Sequence, residues 1–558
     1  MTTTRATPSA AVPGATHAVM NQPPALEDYD LFTHDPVLTE AVAREGASWA
    51  GDELAAFGTR LGEREILELG HLANRHTPTL RTHDRFGHRL DTVDFHPAWH
   101  ELMALGVGAE IHALPWNRPG VGAHVARAAK HYLLTQVEAG VLCPITMAFS
   151  SIPALRLEPS VAEVWEPRVR STTYDPRFQP AAEKDGALLG MAMTEKQGGS
   201  DVRANTTRAK PAADGTYRLT GHKWFCSAPM CDGFLTLAHL EEGVTCFLVP
   251  RFLPDGERNR LFIQRLKDKL GNRSNASSEI EYHDTWAQRI GPPGRGIPTI
   301  LEMVAHTRLD CMLGSAALMR QALVQAFHHC RHRHAFGRRL VEQPLMRNVL
   351  ADLALEWEAA TALALRVARA YDAASTDGSS GESSAAFRRI ATAIGKYWVC
   401  KRTPGVVVEA LECHGGNGYV EESVLPRLYR EAPLSSIWEG SGNVMCLDVL
   451  RALTREPATG PALWAELDAA RGADRRYDAF VDRLKTTLGR REDPQLRARR
   501  LVEDLAMALQ ASLLLRHGTA AVADAFCAAR LAGEGGREYG TLPSGVDLDG
   551  ILTRIWPC

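Results

Sequence analysis

A glutamate between an aromatic residue and a glycine is the strongest candidate for acid–base chemistry in this sequence. Glu439 lies in the segment IWEGSGN, residues 437–443. If its carboxyl group is partly buried against a flat reactive ring, its pKa rises toward the value that a base working near neutrality needs. An isolated glutamate more commonly lies at a helix N-terminus and interacts with the helix dipole. This segment alone leaves both interpretations open.

A glycine-rich segment, residues 191–203, has the composition of a loop that binds an anion or a flat ring. Gly198 and Gly199 let backbone N–H groups approach a ligand closely. Thr194 and Ser200 add hydroxyl groups for hydrogen bonds to ring heteroatoms or phosphate. A tight Gly-Gly turn capped by Ser200 and Asp201 explains the same residues equally well.

Two further segments could contact a flat heterocycle or a pyrophosphate. In GHKWFCS, residues 221–227, Trp224 lies on a predicted strand and could cover a ring face, although a single tryptophan more often belongs to a core. In RHRHAFG, residues 331–337, Arg333 is a fixed cation suited to a pyrophosphate, or else part of a solvated basic helix end. His328 and His332 share a helix face, but no carboxylate or cysteine completes a metal-ligand spacing, so we predict no metal site.

The spacing of apolar residues predicts helices on both sides of a β-rich segment. Apolar residues recur every three to four positions from about 36 to 180, and short alternating runs separated by turn signals follow from about 190. Helices resume near 297, and a linker at 456–461 precedes a further helical unit. We therefore predict five parts: a flexible leader (1–25), an N-terminal helical domain (26–188), a β domain (189–292), a helical bundle (293–455) and a C-terminal helical domain (456–558).

The composition is that of a globular protein and excludes several classes. Hydrophobic residues make up 45% of the 558 residues and charged residues 23%, which excludes overall disorder. The net charge of −3 excludes a protein that coats nucleic acid with its whole surface, although not a local basic patch. Eleven cysteines without a C-x-x-C pair indicate free thiols in a reducing cytoplasm. No apolar run approaches the length of a membrane-spanning helix, and the N-terminus lacks the apolar core of a signal peptide.

Five segments in this order resemble the acyl-CoA dehydrogenase family. MTEKQGGSDV is similar to the TEPxxGSD flavin loop, KWFCS to the K-x-W-I-T-N strand, and RHAFG to the R-x-x-F-G motif. GGNGY is similar to the GGxGY loop, and WEGSGN to the segment with the catalytic glutamate. The stretches RFLPDGERN, RLKDKLGNRSNAS, QPLMRNVL and LPRLYRE, together with a tail of about 100 residues, resemble the AidB-like branch, flavoproteins associated with DNA alkylation damage. The implied fold is α+β: a helical domain, an antiparallel β-barrel, a helical bundle and an extra C-terminal helical domain, residues 456–558, that can contact duplex DNA.

The resemblance also implies a homotetramer with FAD in each subunit and assigns roles to individual residues. Glu439 corresponds to the catalytic base. Arg333 and Phe336 would contact the FAD of another subunit. The remaining residues that the resemblance places at the flavin are Met193, Thr194, Gly199, Ser200, Trp224, Ser227, Ile437, Gly440, Ser441 and Asn443.

Two positions differ from the family pattern, and a third indicates which residue carries the catalytic carboxylate. Glu412 replaces a glutamine that makes a subunit-crossing FAD contact, so the resemblance does not carry that contact over. Trp438 replaces the tyrosine before the catalytic glutamate, which narrows the expected acyl pocket. Some members carry the catalytic carboxylate just before an arginine of the long helix. That position is Thr307, before Arg308, which leaves Glu439 as the candidate.

Two functions are compatible with these residues. The first combines weak α,β-dehydrogenation of an acyl-CoA with binding of duplex DNA and protection against alkylation. Residues 451–500 carry twelve basic and eight acidic residues, and Arg451 and Arg455 lie one helical turn apart as the first candidates for phosphate contact. Without a base-reading motif, we expect little sequence preference. The alternative is a metabolic acyl-CoA dehydrogenase whose tail serves only oligomerisation.

Overall fold

The chain folds in the order predicted from the sequence, with a β domain between two groups of helices. A computed structural model describes residues 16–374, 379–489 and 492–556, so residues 1–15 of the predicted leader lie outside the described residues. The helices are α1 (Pro36–Arg44), α2 (Gly51–Gly62), α3 (Arg64–Arg75), α4 (Pro97–Gly108), α5 (Leu114–Asn117), α6 (Ala123–Val137), α7 (Leu142–Leu155), α8 (Pro159–Val169), α9 (Gly296–His332), α10 (Pro344–Ala374), α11 (Ser379–Glu412), α12 (Leu425–Glu431), α13 (Gly442–Arg455), α14 (Thr459–Asp468), α15 (Arg475–Leu488), α16 (Ala498–His517), α17 (Ala520–Phe526) and α18 (Leu548–Leu552). The strands are β1 (Thr79–His83), β2 (Arg89–Asp94), β3 (Leu189–Ala192), β4 (Arg208–Pro211), β5 (Tyr217–Ser227), β6 (Gly233–Leu240), β7 (Gly243–Pro250), β8 (Leu261–Leu266), β9 (Ser277–Ile290), β10 (His334–Ala335) and β11 (Arg338–Arg339).

The strands of the β domain close into a barrel. Strand β6 pairs with β7 and β4, and the ring continues through β5 and β9 back to β7, while β3 and β8 join at β6 and β9. The prediction of a wholly antiparallel barrel is wrong in one respect, because β6 runs parallel to both β3 and β4. Parallel neighbours cannot be joined by a tight hairpin turn and need a longer connection. Here β5 lies between β4 and β6 along the chain, and β4 and β5 lie between β3 and β6.

A hairpin interrupts the first helical region, where the sequence predicts mostly helices. Strands β1 and β2 pair antiparallel, with Thr79 opposite Asp94. The Asp84 carboxylate accepts hydrogen bonds from the backbone N–H groups of Phe86 and His88, and Gly87 takes a left-handed conformation. These side-chain bonds satisfy the turn locally, so a hairpin replaces a helix here.

Two apolar cores organise the chain. One fills the β-barrel and continues onto α7 and α8. The other runs from Leu31 through α6, α9, α10 and α11 to Ile555, so the predicted C-terminal domain shares its core with the helical bundle. Helix α9 starts against the barrel at Gly296, where an added Cβ would lie 2.5 Å from the Thr245 carbonyl carbon. None of the described helices is long and apolar enough to cross a bilayer.

Buried ion pairs fix the tail on α10. Arg530 donates to Glu356 at 2.9 Å and also pairs with Asp352, while Arg402 donates to the same Glu356 at 2.9 Å. Both carboxylates of α10 are almost completely buried. The tail therefore stabilises the bundle through groups that cannot return to water without unfolding.

Replacement of Arg530 should destabilise the whole protein. The substitution Arg530→Ala leaves the buried carboxylates of Asp352 and Glu356 without one cation, and we expect a loss of about 3–5 kcal/mol in the free energy of unfolding. Chemical denaturation measures this. Arg537→Ala removes an exposed arginine of the same segment and should change the free energy by less than about 0.5 kcal/mol. Equal effects of the two substitutions would contradict the role of the ion pairs.

Candidate functional site

The backbone around Glu439 is held in an unusual conformation by two cations. Glu439 has φ 57°, in the left-handed region, and Gly440 follows with φ 103°. Arg308 of α9 donates from Nε to the Glu439 carbonyl at 3.0 Å. Lys396 of α11 donates from Nζ to the carbonyls of Trp438, at 2.8 Å, and Gly440. Three successive carbonyls thus accept hydrogen bonds from fixed charges, which compensates for the strained backbone.

The carboxyl group of Glu439 faces a hydroxyl group of α9. Thr307 donates from Oγ1 to Oε2 of Glu439 at 2.7 Å. Burial raises the pKa of Glu439 above its ordinary value, while the Thr307 hydrogen bond and the charge of Arg308 oppose that rise. Thr307 occupies the position that carries the carboxylate in some members of the resembling family. Thr307 and Glu439 thus face each other, and of the two side chains only the Glu439 carboxylate can act as a base.

The barrel supplies polar groups close to this carboxyl group. The thiol of Cys143, at the start of α7, lies beside Ser227 and Asn275 and within electrostatic reach of Glu439, and burial raises its pKa to about 11. The hydroxyl oxygens of Ser227 and Ser277 are 3.2 Å apart. Lys269 donates to Ser277 Oγ at 3.0 Å, and burial lowers its pKa to about 8. Cys143 and Lys269 were missed by sequence reasoning, although Lys269 lies in the RLKDKLGNRSNAS stretch.

A buried ion pair between Glu195 and Lys223 fixes the glycine-rich loop on the barrel. Glu195 accepts from Lys223 Nζ at 2.8 Å and from the backbone N–H groups of Thr206 and Thr207. Burial favours the neutral acid, but Lys223 and these donors hold the pKa of Glu195 at about 2. The loop therefore presents its outer residues, among them the exposed Ser200 and the half-buried Thr194, while the Glu195 carboxylate is turned inward and paired.

A close packing contact fixes the turn at Gly199. A Cβ added there would lie 2.4 Å from Thr194 Oγ1. Met193, just before the loop, is half-buried and its carbonyl accepts from Asn205 at 2.9 Å. Backbone N–H groups and two hydroxyl groups are the donors that a phosphate or a ring carbonyl accepts.

Two aromatic rings follow on β5. Trp224 donates its backbone N–H to the Thr194 carbonyl at 2.8 Å, which joins the strand to the loop. Its indole ring is covered by Lys267, whose Nζ lies 3.2 Å from the ring centroid. The neighbouring Phe225 is 49% exposed, and Lys267 Nζ also lies 4.8 Å from its ring centroid. Sequence reasoning named Trp224 and missed Phe225, which lies two residues before Ser227 on the same strand.

The Arg333 segment projects away from its own chain. Phe336 is 98% exposed, with φ 52°. Asn21 accepts from the His334 N–H at 2.7 Å and donates to its carbonyl at 2.9 Å, while Arg333 donates to the Asn21 carbonyl. The rings of His329 and His414 lie 4.6 Å apart and bring the GGNGY turn beside this segment. Asn21 carries no motif, so only the fold reveals its contact.

The residues after Glu439 connect the site to the tail. Ile437 is exposed, and Ser441 precedes the first turn of α13. Asn443 accepts from Arg499 Nε of α16 at 2.8 Å, so its side chain ties α13 to the tail. Arg451 and Arg455 lie further along α13 on its exposed face.

The described histidines form no metal site. His328 contacts the Pro24 carbonyl at 2.9 Å, and His332 contacts the His328 carbonyl at 2.9 Å. Among the residues that the structure describes, no group of three or more His, Cys, Asp or Glu side chains is arranged to hold a metal ion.

Comparison with known proteins identifies the family. Residues 21–176 match the N-terminal domain of the adaptive response protein AidB, residues 190–285 the acyl-CoA dehydrogenase middle domain, and residues 294–454 the acyl-CoA dehydrogenase C-terminal domain. The chain is 47% identical to AidB of Escherichia coli (strain K12) over 523 residues, 93% of this chain and 95% of that protein. It is 29% identical to acyl-CoA dehydrogenase family member 11 of Caenorhabditis elegans, over 88% of this chain and 79% of that protein. The crystal structure of Caenorhabditis elegans ACDH-11 in complex with C11-CoA matches with a TM-score of 0.82 at 25% identity, over 99% of this chain and 95% of that one. The chain belongs to the AidB branch of the acyl-CoA dehydrogenase family of flavoprotein oxidoreductases.

Proposed function

We propose that this protein is an FAD-binding flavoprotein that binds duplex DNA with little sequence preference and protects against alkylation damage, with a weak acyl-CoA dehydrogenase activity. The observation that carries the enzymatic part is the half-buried Glu439 carboxyl group, held by Thr307 and within electrostatic reach of Cys143. The DNA-binding part is carried by the exposed Arg451 and Arg455 of α13.

The residues present fit a flavin cofactor. Ser200 and the Gly198-Gly199 backbone would hold phosphate and ring oxygens, and Phe225, Trp224 and Ser227 would contact the ring. The Glu195 carboxylate does not oppose a pyrophosphate, because it is paired with Lys223. When bound, the flavin supplies hydride acceptance in an α,β-dehydrogenation.

Glu439 is positioned to remove the α-proton of an acyl thioester. Its raised pKa makes it a stronger base than an exposed glutamate. Thr307 orients Oε2, so the other carboxylate oxygen remains to accept the proton. Arg308 and Lys396 fix the backbone so that the carboxyl group does not turn away from the substrate.

An acyl-CoA is the substrate class that we propose for this site. The Caenorhabditis elegans relative was solved with C11-CoA, and this chain matches it along nearly its whole length. Trp438 has a buried indole N–H without a partner among the described residues, which leaves a donor for a ligand. The bulk of this indole next to Glu439 favours weak rather than efficient turnover.

The free charges on α13 support DNA binding. Asp448 and Glu456 are the acidic neighbours of this face, and Arg389 engages them at 2.8 and 3.1 Å. Arg451 is 58% exposed, with a single long contact of 3.9 Å to Asp448. Arg455 makes no ion pair with any described residue. These guanidinium groups can therefore neutralise phosphates.

The exposed Arg333 segment supports assembly into a homotetramer. Phe336 is 98% exposed beside Arg333 and a glycine turn, so its ring is available for contact with a neighbouring subunit. We propose that Arg333 and Phe336 contact the FAD of a neighbouring subunit. The ten described cysteines are all free, and nine are buried, which supports a reducing cytoplasm.

A metabolic acyl-CoA dehydrogenase is the second candidate. The continuous apolar core and the Arg530 ion pairs give the tail a structural role without DNA. Measurement of DNA affinity separates the two candidates. Because removal of the tail would expose this core, the measurement should use the full chain.

Glu439 should be essential for reduction of the flavin by acyl-CoA. In the holoprotein, Glu439→Gln keeps the size of the side chain but removes the base, and we expect anaerobic bleaching by a panel of acyl-CoAs to slow by about 10²–10⁴-fold. Glu422→Gln, on an exposed turn, should leave the rate unchanged. If no acyl-CoA bleaches the wild-type flavin, the dehydrogenase part of the proposal is wrong.

Loss of the Thr307 hydroxyl should shift the pH dependence of this reaction. The carboxylate form of Glu439 is the base, so the rate rises as the pH passes through its pKa, which lies above the ordinary value for glutamate. Thr307→Val removes a donor that stabilises the carboxylate, and the acidic limb should move up by roughly one pH unit. Stopped-flow reduction across pH checks this. If the acidic limb of the pH–rate profile stays in place, the Thr307 hydroxyl does not affect the pKa of Glu439.

Replacement of both exposed arginines should weaken DNA binding. For the full-length Arg451→Ala/Arg455→Ala protein we expect a lower affinity for duplex DNA. The slope of log affinity against log salt should flatten by about 1.8, because each lost phosphate contact removes about 0.9. Fluorescence anisotropy measures both quantities. Arg85→Ala/Arg260→Ala removes two exposed arginines of the hairpin and barrel as a control, and equal effects of both variants would reject α13 as the contact surface.

A further inference from the structure

A second cavity lies between the N-terminal helices and the barrel. Its volume is about 320 Å³, within the range of small-molecule pockets, and it is lined by the β1–β2 hairpin, α4, the turn after β5 and residues 174–178. Protein interiors are normally filled by side chains, so a space of this size between two packed units needs a reason. The Glu439 site and the DNA-binding face do not include it.

The wall of the cavity is mainly aromatic and apolar. The rings of Phe95 and Trp99 stack with centroids 4.8 Å apart and an interplanar angle of 15°. Met103, Met230 and Leu188 complete this part of the lining. Stacked rings and flexible thioethers adapt to a flat apolar ligand.

The charged side chains at the cavity are already paired. Arg81 contacts Asp94 at 2.6 Å, Arg177 contacts Asp175 at 2.5 Å, and Lys184 contacts Asp232 at 2.7 Å. A charged ligand would lose its hydration in the cavity and would find no unpaired side chain of opposite charge there. The cavity therefore favours an uncharged occupant.

One hydrogen-bonding pair lines the cavity. His100 Nδ1 and the Tyr174 hydroxyl group are 2.8 Å apart. Burial lowers the pKa of His100, so the imidazole is neutral at pH 7 and has one donor and one acceptor nitrogen. With Nδ1 engaged by Tyr174, Nε2 has no hydrogen bond to any described residue. A hydroxyl or carbonyl group of a ligand can pair with it.

The cavity shares a wall with the Glu439 site. Pro144 lines the cavity and follows Cys143, and Ala228 lines it and follows Ser227. Cys143 lies beside Ser227 and within electrostatic reach of Glu439. Glu439, Cys143 and Ser227 are not themselves part of the cavity lining.

We propose that this cavity is a second ligand site, which binds an uncharged aromatic molecule carrying one hydroxyl or carbonyl group. The stacked rings of Phe95 and Trp99 contact the ligand ring, and His100 with Tyr174 binds its polar group. The site does not depend on the flavin chemistry proposed for Glu439.

Binding of 4-fluorophenol to the full-length holoprotein tests the proposal. Fluorine NMR line broadening should show saturable binding, and the anion 4-fluorobenzoate should bind at least about tenfold more weakly. His100→Phe keeps the ring but removes the hydrogen bond and should weaken 4-fluorophenol binding by about 5–10-fold. His88→Phe changes an exposed histidine of the β1–β2 hairpin, outside the cavity lining, and as the matched control should bind as the wild type does.

A second variant and a competition experiment complete the test. Met230→Trp fills the cavity from a partly exposed position and should abolish binding, with an unchanged flavin spectrum as the check on folding. Saturation with decanoyl-CoA should leave 4-fluorophenol bound. Absence of saturable binding, equal binding by the wild type and His100→Phe, or displacement by decanoyl-CoA would each overturn a separate site.

Discussion

The left-handed conformation of Glu439 is the constraint on which the functional part of this structure depends. A non-glycine residue in this region costs of order 1–3 kcal/mol, and the surrounding structure must supply the compensation. Arg308 from α9 and Lys396 from α11 do so by donating to three successive carbonyls. The same helices carry Thr307 and bury the carboxyl group. The geometry that we propose for catalysis therefore exists only when both helices are packed in place.

Arg308 also connects the Glu439 loop to α13. Arg308 donates from Nη1 to Asp448 at 2.9 Å, and Arg389 donates to the same carboxylate at 2.8 Å. Asp448 lies one turn before Arg451 on α13. The face that we assign to DNA is therefore held by Arg308, the same residue that binds the Glu439 carbonyl. The proposed chemistry and the proposed DNA contact thus share one short helix. This arrangement requires no separate DNA-binding module.

The site is assembled from two apolar cores. The barrel core positions β5 and the glycine-rich loop, and the helical core positions Glu439 and Thr307. The cavity at His100 and Tyr174 lies between the same two units and is also lined by Pro144 and Ala228, which follow Cys143 and Ser227 in the chain. The tail belongs to the helical core through Arg530, so its length adds to the stability of the bundle as well as to its surface.

The sequence by itself determined the α+β class, the order of helical and β segments, and Glu439 as the candidate base, because apolar spacing and short motifs are local properties. It did not predict the β1–β2 hairpin, whose turn depends on Asp84, or the parallel pairing of β6. Only the tertiary structure decided that Thr307 faces Glu439, that Lys267 covers the Trp224 ring, and that Asn21 binds the Arg333 segment. These contacts join residues far apart in the chain, and no local pattern encodes them.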